Sequence, residues 1–210
     1  MSINILVAEN NIDMRKQICE LLRNERSFKI IAEDADGMSA VQTAKRIKPD
    51  MVLMDIAMPE LSGMAATHLI KEFSEKIKIV GLTMFMEMSF VKSMFKAGAS
   101  GYILKDTMVR ELPVAVHKVS RNQIYFSNKI ETMILSDYLK KMNTEQYNRQ
   151  QYLSENDMKI LQCLARGETW EEITEKTGLN CNTVEIIHQK ILQTWIIFIK
   201  SLNSQGKNYL

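Results

Sequence analysis

The chain has 210 residues, 46% hydrophobic and 25% charged, with 27 basic and 25 acidic side chains for a net charge of +2. Such a length buries a sizeable core in one or two domains, and near-neutral charge gives no reason by itself to expect nucleic acid or a membrane surface. Cys19, Cys163 and Cys181 lack short ligand spacing and argue against a disulfide framework, a zinc site or a secreted chain; with no signal-like start and no bilayer-length apolar run, a reduced cytoplasmic protein without membrane association is expected.

The first 125 residues alternate between two periodicities. Ile3 to Ala8 is a nearly continuous apolar run, as a strand buried on both faces should be. Asp13 to Arg23 then places Ile18, Leu21 and Leu22 at helical spacing. Residues 28–32 read as strand and 37–47 as helix, which Pro49 ends. Met51 to Met54 is a third buried strand, and Pro59 and Gly63 punctuate the loop after it. Helix at 65–73, strand at 77–82, helix at 90–97, strand at 101–104 and helix at 109–119 follow. Five strand–helix repeats with short connections predict an α/β fold, a doubly wound five-stranded parallel sheet. Its site is expected beyond the carboxyl ends of the strands.

After about Phe126 the pattern changes. Ile130, Met133, Ile134, Tyr138 and Leu139 suggest one more helix, and residues 143–151 are polar and featureless. We expect a first domain over 1–125, a linker helix and polar linker over 126–152, and an all-α domain over 153–210. In that last part 157–165 and 170–176 read as two short helices with Gly167 and Gly178 past their ends, and Asn180 or Asn182 is placed to cap a third. Two short helices joined by a Gly-containing turn are a helix-turn-helix signature.

The polar residues at the predicted strand ends are Glu9 and Asn10, Asp55, Thr83 and Lys105, so carboxylates, a hydroxyl and an amine meet on one rim. Met51-Val-Leu-Met-Asp55-Ile-Ala-Met-Pro59-Glu-Leu-Ser-Gly63 and Gly101-Tyr-Ile-Leu-Lys105-Asp106 resemble the phospho-acceptor and lysine motifs of the receiver domain of two-component response regulators, a flavodoxin-like fold. The resemblance implies that Asp55 accepts a phosphoryl group from a sensor histidine kinase, that Glu9, Asn10, Asp55 and the Ala57 carbonyl hold Mg²⁺, and that Lys105, Thr83 and Tyr102 bind the phosphoryl group and switch. One position departs: the family carries an acid where this chain has Asn10, which has a carbonyl oxygen but no charge. Weaker Mg²⁺ binding and slower phosphorylation are the expectation. Of the methionines at 84, 86, 88 and 94, some are expected in the core, and neither His68 nor His117 reads as a ligand.

Leu153-Ser-Glu-Asn-Asp157, Leu164-Ala-Arg-Gly167, Thr177-Gly-Leu179 and Thr183-Val184 resemble a LuxR-type helix-turn-helix domain; with the receiver, this is the NarL/FixJ arrangement of transcription regulators. The resemblance implies DNA as a partner, read from Asn182, Thr183, Glu185, His188, Gln189 and Lys190, and a homodimer. The charge distribution does not favour DNA: residues 1–129 carry 18 basic and 15 acidic side chains, residues 153–210 only 6 and 7. No break interrupts residues 182–202, so a single long helix is predicted there. Its stripe of Val184, Ile187, Ile191, Trp195, Phe198 and Leu202 is a candidate dimer interface built on Ile191, Trp195, Phe198 and Leu202. The leading reading is a response regulator transcription factor, not an enzyme. The alternative is a phosphorylation-independent regulator acting mainly through protein–protein contacts, with weak DNA binding.

Overall fold

The computed structural model describes residues 2–143 and 153–201, which fall into two compact units, 1–127 and 128–210. In the first unit the strands are β1 (Ile3–Ala8), β2 (Phe28–Asp34), β3 (Met51–Asp55), β4 (Lys78–Thr83), β5 (Gly101–Leu104) and β6 (Tyr125–Phe126). They form one parallel sheet in the order β2-β1-β3-β4-β5-β6. The helices are α1 (Ile12–Arg23), α2 (Gly37–Ile47), α3 (Gly63–Phe73), α4 (Met88–Ala97) and α5 (Met108–Ser120). Side chains on β1, β3, β4 and β5 pack with Ile18, Leu22, Leu112 and Val116 of α1 and α5 in one core.

Local chemistry explains where the helices begin. Asn11 accepts from the amides of Asp13 and Met14, Asp36 from that of Ser39 and Ser62 from that of Ala65, each satisfying orphan donors of a first turn. Gly63 has a further reason: a Cβ there would lie 2.0 Å from the Asp55 carbonyl oxygen. Only a bare backbone passes so close behind the site. The doubly wound parallel sheet is as expected, but it has six strands, not five. A two-residue edge strand is too short to carry a periodic signal.

The second unit is helical: α6 (Asn128–Asn143), α7 (Glu155–Ala165), α8 (Trp170–Thr177) and α9 (Cys181–Ser201). Capping boxes, Ser154 with Asp157 and Thr169 with Glu172, start α7 and α8, and Gly178 at φ +67° ends α8. The Asn180 side chain accepts from the Thr183 amide at 2.9 Å, which settles the cap of α9. The α6 helix, read from the sequence as part of a linker, belongs to this unit. Its Ile130, Ile134, Leu135 and Tyr138 are fully buried, Ser136 donates to the Ala165 carbonyl at 3.0 Å, and the Tyr138 and Phe198 rings lie 5.5 Å apart. Of the polar stretch expected as linker over 143–151, all but Asn143 lies outside the described residues.

Candidate functional site: the strand-end carboxylate pocket and the helix-turn-helix

At the carboxyl ends of the strands, Glu9 follows β1, Asp55 ends β3, Thr83 ends β4 and Lys105 follows β5. Glu9, Asp55 and Thr83 are 0%, 2% and 1% exposed. The Lys105 ammonium bridges both carboxylates, 2.8 Å from Glu9 Oε2 and 2.9 Å from Asp55 Oδ1. Asp55 Oδ1 also accepts from the Ala57 amide at 3.2 Å, and Glu9 Oε1 from the Asn11 amide at 3.1 Å. Burial raises the Glu9 carboxyl above its ordinary range; Lys105 opposes that rise, and the nearby Asp55 charge adds to it.

Thr83 Oγ1 accepts from the Phe85 amide at 2.9 Å. Tyr102 is fully buried and donates its hydroxyl to the Phe85 carbonyl at 3.1 Å, so its ring already lies inward beside Thr83. Burial pushes its phenol up to about 12. Asn10 and Ala57 sit exposed on the rim. Two residues passed over in the sequence support Glu9. Arg15 donates to the Glu9 carbonyl at 2.6 Å, and its Nε lies 3.8 Å from Glu33. On an amphipathic helix Arg15 looks like any solvated cation, so no sequence signal marks it.

Hard oxygen ligands suit Mg²⁺. Glu9 Oε2 is buried and receives no well-directed hydrogen bond beyond its ion pair with Lys105, so it has capacity for a cation. Glu9, Asp55, the Ala57 carbonyl and the Asn10 carbonyl oxygen are therefore a chemically suitable, charge-poor donor set.

In the helix-turn-helix the structure divides the residues expected to face DNA. Asn182 is exposed, and Thr183 and Glu185 are half-exposed, at the start of α9. His188 and Gln189 are only 4% and 9% exposed. His188 Nε2 lies 2.8 Å from Glu131 Oε1 of α6, and its ring meets Trp170 of α8 edge-on at 5.3 Å. Lys190 Nζ reaches Asp157 Oδ2 of α7 at 2.5 Å. Burial raises the Asp157 carboxyl, but hydrogen bonds from Lys190 and Ser154 outweigh it and leave the carboxyl below its ordinary range. His188 thus ties α9 to α6 and α8 and Gln189 is buried, while Lys190 ties α9 to α7 with its side chain still about half exposed. The reason is register: the buried stripe runs Val184, His188, Ile191, Trp195, Phe198, and Ile187 falls beside it, half-exposed.

The candidate dimer interface is corrected on the same ground. Ile191 and Trp195 are fully buried and Phe198 is 5% exposed within their own unit, while Leu202 lies outside the described residues. The exposed apolar residues of α9 are Ile186 at 70% and Ile197 at 57%. No described helix is long and apolar enough to cross a membrane.

A buried acid pair bridged by a lysine at the strand ends of such a sheet, followed by a helix-turn-helix unit, defines a receiver joined to an effector module. Residues 5–117 match the response regulator receiver domain family. The oxygen regulatory protein NreC of Staphylococcus aureus strain MRSA252 is 31% identical over 185 residues, covering 86% of this chain and 85% of that protein. A LuxR-family two-component response regulator from Aurantimonas sp. SI85-9A1 superposes with a TM-score of 0.64 at 26% identity, covering 66% of this chain and 99% of the other. The RcsB response regulator of Salmonella typhimurium shares the fold at 17% identity, with a TM-score of 0.59 over 98% of this chain and 99% of its own. The chain belongs to the response regulator family, in its LuxR-type branch: it is a phosphorylation-controlled transcription regulator, and the interaction-only alternative is not favoured.

Proposed function

We propose that Asp55 is the phospho-acceptor. The observation that carries this is Lys105 within 2.9 Å of both Glu9 and Asp55 in a buried pocket, with Thr83 on the same rim. An Asp55 carboxylate oxygen attacks phosphorus carried on a kinase histidine; the P–O bond forms and the P–N bond breaks. Lys105 then exchanges its Asp55 contact for a phosphoryl oxygen, and Thr83 turns its hydroxyl from the Phe85 amide toward the phosphoryl group. Tyr102 stays packed behind Thr83 and holds the loop through the Phe85 carbonyl. Glu9, Asp55, the Ala57 carbonyl and Asn10 would hold Mg²⁺, which when bound neutralises the transferring phosphoryl oxygens.

The second unit binds DNA through the start of α9, with Asn182, Thr183 and Glu185 as the residues placed to meet it, as a homodimer on paired half-sites and in the cytoplasm. Acetyl phosphate with Mg²⁺ tests the first part: wild type gains one phosphoryl mass and Asp55→Asn gains none. Equal labelling of both would overturn the assignment. Duplex binding at stated salt before and after labelling tests the second part; absence of binding even at low salt would overturn it.

A further inference from the structure

We infer that the receiver unit carries a second, sequence-independent DNA contact: a lysine-lined depression at the amino-terminal ends of its strands, opposite the carboxylate pocket. The depression encloses about 780 Å³ and is bordered by Asn4, Lys48, Asp50, Lys76, Lys78 and Ser120. Three lysines and one aspartate border it, and the Asp50 carboxylate already accepts the Asn4 amide at 2.8 Å. None of the three lysines has an ion pair among the described residues.

The whole unit is polarised in the same sense. The last turns of the helices bring Arg23, Lys45, Arg46, Lys71, Lys96 and Lys118 to this end. Glu9, Asp34 and Asp55 lie at the other ends of their strands. Helix dipoles account for the last-turn cations, because carbonyls at helix carboxyl ends favour positive charge. They do not account for Lys76, which lies in a loop, or for Lys78, the first residue of β4. Lys48 caps α2 in the left-handed region at φ 47°, a conformation glycine or asparagine adopts more readily.

The partner follows from the charge deficit elsewhere. DNA affinity scales with the number of phosphates neutralised, and the helix-turn-helix segment carries 6 basic against 7 acidic side chains, with Lys190 engaged by Asp157. A duplex backbone therefore finds its lysines on the receiver, while the acidic rim repels it and fixes which end approaches. This inference rests on the DNA-binding reading above.

The test uses the full chain and a random-sequence duplex, comparing wild type, the triple variant Lys48→Gln/Lys76→Gln/Lys78→Gln, and a control, Lys16→Gln/Arg110→Gln, on exposed cations of the other end. The triple variant should lower the log–log salt slope by about 2.7 and weaken low-salt binding by about tenfold or more, while the control keeps the wild-type slope. Labelling of Asp55 stays unchanged in both. Wild-type binding with an unchanged triple variant overturns the surface and leaves the DNA-binding reading standing, as does an equal loss per charge in the control. Failure of wild type to bind at all overturns the DNA-binding reading and this surface together.

Discussion

Ser127 Oγ accepts a hydrogen bond from the Leu104 amide at 3.0 Å, at the end of the strand that Lys105 follows. The same hydroxyl lies 3.2 Å from Thr107 Oγ1 and donates to the Glu111 carboxylate. The Ser127 amide donates to the Tyr102 carbonyl at 3.0 Å, so the segment beginning at β6 prolongs the sheet beside Tyr102 and then runs directly into α6.

Ser127→Ala should therefore destabilise the receiver unit out of proportion to its size. The Leu104 amide would be left buried without an acceptor, at a cost of about 1–3 kcal/mol. Urea unfolding followed by far-ultraviolet circular dichroism measures it. A change within about 0.5 kcal/mol, typical of a neutral surface substitution, would show that the hydroxyl is dispensable.

The phenol of Tyr102 gives a pH signature. Its ordinary value is 10.0; burial pushes it up to about 12, the Thr83 hydroxyl partly opposing that shift and the Glu87 carboxylate adding to it. The unfolded chain then loses this proton before the folded one does. The associated stability is whole below pH 10 and is lost as pH rises from 10 through 12, amounting to about 2–3 kcal/mol. Phenolate absorbance in the folded protein should include a late step, and Tyr102→Phe should reduce its amplitude by one tyrosine. A late step of undiminished amplitude in Tyr102→Phe belongs to other tyrosines.

His188 and Trp195 separate a core role from the roles expected of them in the sequence. Both tryptophans of the chain, Trp170 and Trp195, lie in the second unit, so tryptophan fluorescence reports on that unit alone. His188→Ala strips Glu131 of its partner and Trp170 of an edge contact, and should cost about 1–3 kcal/mol of that unit's stability. Trp195→Ala should cost about 3–5 kcal/mol, with a melting temperature that does not vary with protein concentration any differently from wild type. DNA affinity lost in His188→Ala at a temperature where the unit is fully folded would return the histidine to the DNA-facing set.

What could be read in the sequence, and what could not, follows from the range of the signals. Glu9, Asp55, Thr83 and Lys105 were legible because a buried parallel strand is a continuous apolar run, and the first polar residue after it marks the rim. The long α9 was legible because nothing between Cys181 and Ser201 breaks a helix. The place of α6 was not, because periodicity says which face of a helix is buried and not what buries it. His188 was hidden for a related reason: a polar residue on an apolar stripe reads as exposed until its partner, Glu131, is seen 57 positions away in sequence. The Arg15 support of Glu9 is equally non-local in chemistry, since it uses a backbone carbonyl that any residue would supply.

Asn10 supplies the last prediction. The pocket holds two buried carboxylates, and Lys105 at 2.8 and 2.9 Å already offsets part of their charge. Mg²⁺ has to compete with that ammonium, and the rim position that could tip the balance is the neutral, exposed Asn10. In Asn10→Asp an added unit charge a few ångströms from a divalent ion, in largely aqueous surroundings, contributes roughly 1–2 kcal/mol, so the Mg²⁺ dissociation constant should fall about tenfold. Asp55 labelling by acetyl phosphate should speed up in step. The same variant adds a third negative charge to the metal-free pocket and should melt at a lower temperature than wild type without Mg²⁺, the order reversing at saturating Mg²⁺. Calorimetric titration and paired melts read both effects, and equal dissociation constants for the two proteins would show that charge at this position does not set metal affinity.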